Sequence, residues 1–318
     1  MIFDEYAEEN YAHLLEQENK TTQPDPSMID IQPEIQWYMR PYLLDFLIDC
    51  HYSLRLQQET LFFAISLLDR YCSARVVYKR HYQLVGCTAL WIAAKFLDKK
   101  SRVPTLSELA AMCCSAYDED MFVQMESHVL STLEWNISSA TVPEMLAYHT
   151  RNDSPKSPVY TIANYLAEIT LYDREFVGRP ASQITCSCLL LARLVAGMQL
   201  SINMLCDDQV QLANRILAHA QNPSKSLIRK YSQDSAMSAY QAVRHFVATT
   251  SQLVPAIQDP VPQMVPGMAP PTPPQSPRRF AIGKVPAKAH PDMVRPAGHC
   301  ITPPLTPESY HSVAMERY

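Results

Sequence analysis

HYQLVGCTALWIAAKFLDKK, residues 81–100, is the stretch that decides the fold. Tyr82 to Leu97 is apolar or small at nearly every position and reads as a helix buried on most of its circumference. It carries one charge near its end, Lys95. A buried ammonium without a partner is costly. Lys95 must therefore reach water, an acidic group of the same fold, or another protein. Two further apolar stretches flank this helix: MRPYLLDFLIDCH (39–51) and MESHVLSTLEW (125–135).

Working outward, the periodicity predicts successive helices at roughly 38–54, 59–73, 81–97, 105–114 and 118–134. Thr105-Leu106-Ser107-Glu108 is a capping-box pattern and opens the fourth. Phe122, Met125, Val129 and Leu133 fall on one face of the fifth. Pro41 is tolerable only near the start of the first, where its missing N–H has no helical partner anyway. The central pattern then recurs, because YQLVGCTALWIAAKFL (82–97) aligns with SQITCSCLLLARLVAG (182–197) at an offset of one hundred. Asp69-Arg70 precedes the first copy and Asp173-Arg174 the second, each expected to end a helix. The second copy continues through expected helices at 207–221 and 234–250. Such an internal repeat implies an all-α chain of two similar helical domains.

Composition sets the boundaries. Residues 1–35 hold nine acidic residues and one basic residue, Lys20, with a short amphipathic helix expected over Tyr6–Glu18. The first bundle is assigned to 36–140 and the second to 141–253. Fifteen of the 25 prolines lie in the last 64 residues, and the tail 254–318 is expected to be disordered. Net charge is −5, which does not favour nucleic acid as a partner. The nine cysteines form no CxxC pair, so neither disulfides nor a metal is expected, and a reducing compartment fits. No signal peptide, membrane span or cofactor is expected, and the placement is nucleus and cytoplasm.

The charged residues of the first bundle divide in two. Arg40 and Asp69 read as a buried ion pair between helices. Lys95 has two readings: pairing with its own helix dipole, its stem snorkelling to water, or facing outward with Glu126 to bind a partner backbone. The aligned position of the second copy is Val195, which favours a role specific to the first.

At these residues the chain resembles the cyclins. The strings that carry the resemblance are MRPYLLDFL (39–47), ETLFFAISLLDRY (59–71), QLVGCTALWIAAKF (83–96), MESHVL (125–130) and TVPEML (141–146). LIRKYSQDSAMSAYQAV (227–243) resembles the closing part of the second cyclin box. The resemblance implies two tandem five-helix cyclin boxes, no catalytic activity, and binding to a cyclin-dependent serine/threonine kinase whose αC helix is held inward. It also implies that Lys95 and Glu126 bond to kinase backbone, and that Arg40 and Asp69 stabilise the box. YAEENYAHLLEQE (6–18) resembles the N-terminal cyclin helix. Met39, Tyr42, Leu43, Phe46, Asp49 and Gln83 match a patch that docks substrate peptides. Phe46 stands where a tryptophan is usual, and Tyr42 is bulkier than the usual aliphatic.

KFLDKKSRVPTLSELAAMCC (95–114) is similar to fungal G1/S cyclins, and residues 1–38 contain no arginine for an RxxL destruction box. A G1/S type is therefore expected, with a cyclin for a nutrient-responsive or transcriptional kinase as the alternative. The tail offers proline-directed phosphorylation candidates at Thr272, Ser276, Thr302 and Thr306, expected to direct ubiquitin-dependent degradation. A B-type transcription factor with cyclin-like repeats would be basic and would carry an N-terminal zinc ribbon, yet no cysteine precedes Cys50. An enzyme would draw on His51, Cys113-Cys114 or Cys186-x-Cys188, but no phosphate loop, metal-ligand spacing or nucleophile elbow accompanies them.

Overall fold

The computed structural model describes residues 6–153, 157–198, 207–232 and 239–250. The tail 254–318, with Thr272, Ser276, Thr302 and Thr306, lies outside the described residues. Among the described residues all regular structure is helical. An N-terminal pair, α1 (Ala7–Lys20) and α2 (Pro26–Asp30), precedes the first bundle. That bundle is α3 (Arg40–Ser53), α4 (Gln58–Ala74), α5 (Lys79–Leu97), α6 (Leu106–Met112) and α7 (Glu119–Thr132). The second is α8 (Val142–His149), α9 (Val159–Thr170), α10 (Ala181–Val195), α11 (Asp207–His219) and α12 (Lys225–Tyr231), followed by α13 (Ala239–Thr250).

The two central helices are α5 and α10, the repeated apolar segments of the sequence. Leu84, Leu90, Ala93 and Ala94 of α5 are buried with Phe63, Leu67 and Leu68 of α4 and Phe122 and Val129 of α7. Cys188, Leu191 and Ala192 of α10 are buried with Tyr165 and Leu166 of α9 and Ile216 of α11. Each such large apolar side chain contributes roughly 1.5–3 kcal/mol by leaving water. Gly86 lets α3 approach α5 closely, since a Cβ there would meet Leu43 Cδ1 at 3.0 Å. Helix α3 serves both cores: Leu43, Leu47 and Cys50 enter the first, Leu44 and Ile48 the second.

The helix starts follow their caps. Thr105 N–H donates to Glu108 Oε2 at 2.7 Å while Glu108 N–H donates to Thr105 Oγ1 at 3.3 Å, the box expected from sequence. Thr141 N–H and Oγ1 both donate to Glu144, opening α8. The ends differ from expectation. α6 stops at Met112 rather than 114, because Cys114 and Ser115 turn the chain through the left-handed region at φ 53° and 57°. α7 stops at Thr132 rather than 134, because Glu134 and Trp135 do the same at 53° and 60°. The segment expected as one helix over 234–250 contains α13 from Ala239, with 233–238 outside the described residues, and the separate α12 precedes it.

The two Asp-Arg pairs are not equivalent. Asp69 and Arg70 lie inside α4, whereas α9 ends at Thr170. Asp173 caps a short 3-10 turn (Arg174–Phe176) by accepting from Glu175 N–H at 2.8 Å. Arg70 donates to the carbonyl of Asn136 at 2.5 Å and so ties α4 to the linker between bundles. Arg174 turns instead to Asp30 of α2, donating from Nε at 2.8 Å.

The N-terminal segment is stitched to the second bundle. The ring of Tyr11 stacks on Tyr148 at 4.1 Å. Glu18 accepts from Ser182 N–H at 2.8 Å and Oγ at 2.6 Å. It thereby caps α10, whose own N-cap is Pro180 with no side-chain donor or acceptor. Gly178 sits beneath this crossing at φ +80°, where a Cβ would fall 2.4 Å from the Pro24 carbonyl oxygen.

Candidate functional site

Arg40 begins α3 and Asp69 sits in the last half of α4, and the two meet in a bidentate pair, Nη1–Oδ1 at 2.5 Å and Nη2–Oδ2 at 2.8 Å. Both side chains are under a tenth exposed. Burial opposes the guanidinium charge, but the Asp69 carboxylate more than offsets that and holds the Arg40 pKa above its ordinary value. Arg40 Nε also donates to the Leu171 carbonyl at 2.7 Å, so one side chain joins the pair to the second bundle.

Lys95 lies in the last turn of α5 and Glu126 in the middle of α7. Their side chains form an ion pair with each other, 36% and 18% exposed. Lys95 Nζ also sits 3.5 Å from the centre of the Trp91 ring, whose Nε1–H donates to the Pro104 carbonyl at 3.1 Å. The ammonium therefore finds its partner within the fold, in Glu126 and the Trp91 ring, and stays partly exposed at the surface. Large apolar side chains are exposed on and just beyond the same two helices. Phe96 is 53% exposed although it stacks on buried Phe63 at 5.3 Å, and Val123 is 46% exposed. Trp135, on its left-handed backbone, is 69% exposed. Large apolar side chains left in water beside a pre-paired charge suit a protein partner.

The six residues matched to a docking patch are less uniform. Tyr42 is 72% exposed, Met39, Phe46 and Gln83 are half-buried, and Leu43 is buried against α5. Asp49 is paired with Arg229 of α12 and accepts from Ser226 Oγ at 3.2 Å. The carboxylate expected on the rim of the patch therefore already ties α3 to the second bundle.

Cys114 is exposed in the turn after α6, and the other reactive-looking residues have structural surroundings. His51 is buried, its Nε2 lies 2.7 Å from the Gln57 carbonyl oxygen, and burial with the nearby Lys230 charge pushes its pKa down to about 4. Cys113 Sγ lies 3.4 Å from Cys87 Sγ inside the first core. Burial raises the pKa of Cys186 and Cys188, which removes nucleophilic thiolate near neutral pH.

Two clusters were not legible in the sequence. Glu168 of α9 is completely buried, and its Oε1 accepts from Gln58 of α4, from Lys230 and from the Tyr231 hydroxyl at 2.8 Å. Asp173, Glu175 and His219 bring ligand-type atoms within 4.8 Å of one another. Glu175 is paired with Arg215, so the group is an ion-pair network on the second bundle. Both unite residues tens to hundreds of positions apart, beyond the reach of spacing.

This architecture, two helical bundles in tandem with a charged and apolar rim on the first, is that of the cyclins. The cyclin N-terminal domain family model matches residues 9–138 and the cyclin C-terminal domain model residues 145–249. The chain belongs to the cyclin family. It is similar to the G1/S-specific cyclin CCN1 of Candida albicans strain SC5314, 50% identical over 201 residues that cover 57% of this chain and 29% of that one. Cyclin puc1 of Schizosaccharomyces pombe is 38% identical over 185 residues, covering 58% and 48%. The G2/mitotic-specific cyclin-B of Emericella nidulans is 37% identical over 191, covering 60% and 39%. The chain spans less than half the length of these curated relatives. A chain in the solved yeast RNA polymerase II CTD kinase CTDK-1 complex shares the fold with TM-score 0.50 at 14% identity, covering 67% of this chain and 76% of that chain. No helix among the described residues is long and apolar enough to cross a membrane.

Proposed function

We propose that this chain is a non-catalytic regulatory subunit that binds and activates a cyclin-dependent serine/threonine kinase at the G1/S transition. The observation that carries the proposal is the surface at the end of α5, where the Lys95–Glu126 pair is flanked along its own two helices by exposed Phe96 and Val123. A kinase helix packed on it buries these two apolar side chains. The charge pair, already oriented by Trp91 and by its own contact, meets backbone polar groups at low ordering cost. Activation is a population shift: the chain binds the αC-in form of the kinase better than the αC-out form, and only that difference moves the equilibrium. The name of the Candida albicans relative, a G1/S-specific cyclin 50% identical over 201 residues, supports the G1/S assignment.

Three subsidiary roles belong to the same proposal. Tyr42, Met39 and Phe46 take the apolar residues of substrate docking peptides. Phosphorylation at Thr272, Ser276, Thr302 and Thr306 adds roughly −1.5 to −2 charges each and directs the chain to ubiquitin ligases. The complex acts in nucleus and cytoplasm.

The test is a pull-down from cell extract with a histone-kinase assay, comparing the wild type with a Lys95→Ala/Glu126→Ala variant whose helicity is verified by circular dichroism. Recovery of active kinase by the wild type and its loss in the variant is the expected result. Equal recovery by both would remove Lys95 and Glu126 from the contact; recovery by neither would remove the kinase.

A further inference from the structure

Immediately after α5 the chain presents a block of unneutralised positive charge. Lys99, Lys100 and Arg102 lie on and beside a one-turn 3-10 helix (Lys100–Arg102), and all three are exposed. Arg55, in the turn between α3 and α4, is exposed beside them and joined to them, since Arg102 Nη1 donates to the Arg55 carbonyl at 3.3 Å. None of these four cations forms an ion pair among the described residues, in a chain whose net charge is −5. The acid nearest in sequence, Asp98, forms no ion pair with them among the described residues. Its carboxylate accepts from Gln57 N–H at 3.1 Å and from the Thr60 hydroxyl at 2.5 Å, capping α4.

The block is held in place. Arg102 N–H donates to the Lys99 carbonyl at 2.8 Å, and Gln57 Nε2 donates to the Leu97 carbonyl at 2.9 Å. Arg55 sits at φ 53°, a left-handed conformation that favours glycine or asparagine. A long cationic side chain on such a backbone points to use of the side chain rather than of the turn. At the offset of one hundred, the residues aligned with 99–102 are Gln199-Leu200-Ser201-Ile202, which carry no charge.

We propose that Arg55, Lys99, Lys100 and Arg102 form a second contact zone that receives an anionic segment of the same kinase. The inference rests on the function proposed above and extends its surface. Lys95 and Phe96 are only three to seven residues upstream of Lys99–Arg102, in the last turn of α5, so a kinase seated there reaches the cationic block. Lys95 is paired with Glu126, whereas none of these four has an ion-pair partner among the described residues. Exposed, unpaired charges of one sign act chiefly on the rate of encounter, an effect that salt screens.

The experiment measures association and dissociation rates of the full chain with a purified cyclin-dependent kinase subunit between about 50 and 500 mM salt. It compares the wild type, an Arg55→Asn/Lys99→Ser/Lys100→Ser/Arg102→Ser variant, and Lys95→Ala/Glu126→Ala. Asparagine at 55 keeps the left-handed turn. The four-site variant is expected to associate about tenfold more slowly at low salt, with a flattened salt dependence and a smaller change in dissociation. Association at the wild-type rate with the wild-type salt slope would overturn the inference. If that result comes with loss of binding in Lys95→Ala/Glu126→Ala, the kinase-binding function stands and only the cationic zone falls. Absence of binding by the wild type overturns both.

Discussion

The two bundles use the same central helix for different ends. α5 and α10 are both apolar and small-residue-rich, and both are buried on most of their faces. They part at the last turn. α5 finishes with Lys95, paired to Glu126, and exposed Phe96, whereas the second bundle has Val195 packed against its core. Their buried ions differ as well. The first bundle closes one bidentate pair, Arg40–Asp69, while the second collects Gln58, Lys230 and Tyr231 around Glu168. The lesson is that a duplicated scaffold keeps its core pattern while charge and exposure diverge at the helix ends, where a side chain changes without disturbing packing.

The largest effect that would break this comparison is removal of Arg40. Arg40→Ala leaves the Asp69 carboxylate buried and unpaired and is expected to cost about 3–5 kcal/mol in chemical denaturation. Arg40→Met/Asp69→Leu should recover much of that loss, because it removes both charges together. A full loss in the double variant would show instead that the Arg40 bond to Leu171, which joins the bundles, matters more than the pair.

Next in size is Gly178, on the second bundle's side of the linker. Gly178→Ala combines a disfavoured backbone with a collision on Pro24 and is expected to cost about 1–3 kcal/mol by thermal unfolding. Gly197, also at positive φ but with open space around it, is the control, and Gly197→Ala should cost less. Equal losses would mean the collision with the N-terminal segment is relieved at no cost. Smaller still, Thr105→Ala removes the cap of α6 and should cost about 1 kcal/mol. Its effect should stay in the first bundle, read by hydrogen exchange.

A further effect is one of pH, and it probes the seam between bundles. Burial, together with the neighbouring Glu144 carboxylate of α8, raises the Glu59 pKa from 4.5 to about 8. Below pH 4.5 the carboxyl holds its proton in both folded and unfolded chains. As pH rises from 4.5 to about 8 the unfolded chain ionises first, so stability falls, and above that window the slope vanishes. Buried neutral His51 acts oppositely between about 4 and 6.5, where stability rises with pH. The clean window is therefore above the His51 range and up to about 8. There Glu59→Gln should flatten the decline of melting temperature seen in the wild type. An identical decline in both would place the titrating group elsewhere.

Much of this was legible in the sequence because it is local. The apolar run of α5, its echo in α10 and the Thr105–Glu108 cap are all encoded within a turn or two of chain. The left-handed endings at Cys114-Ser115 and Glu134-Trp135 were not, because no glycine announces them. The Asp-Arg echo misled because short motifs do not reveal where a helix stops. The direct Lys95–Glu126 pairing, the Asp49–Arg229 bond and the ring of donors on Glu168 depend on how helices cross, which spacing along the chain does not contain.

The most direct test of the central claim is hydrogen exchange on the complex with a cyclin-dependent kinase. The account predicts new protection at the end of α5 and in α7, residues 91–102 and 119–135, with the matching end of α10 at 191–197 unchanged. Protection confined to the second bundle, with 91–102 exchanging as in the free chain, would contradict it.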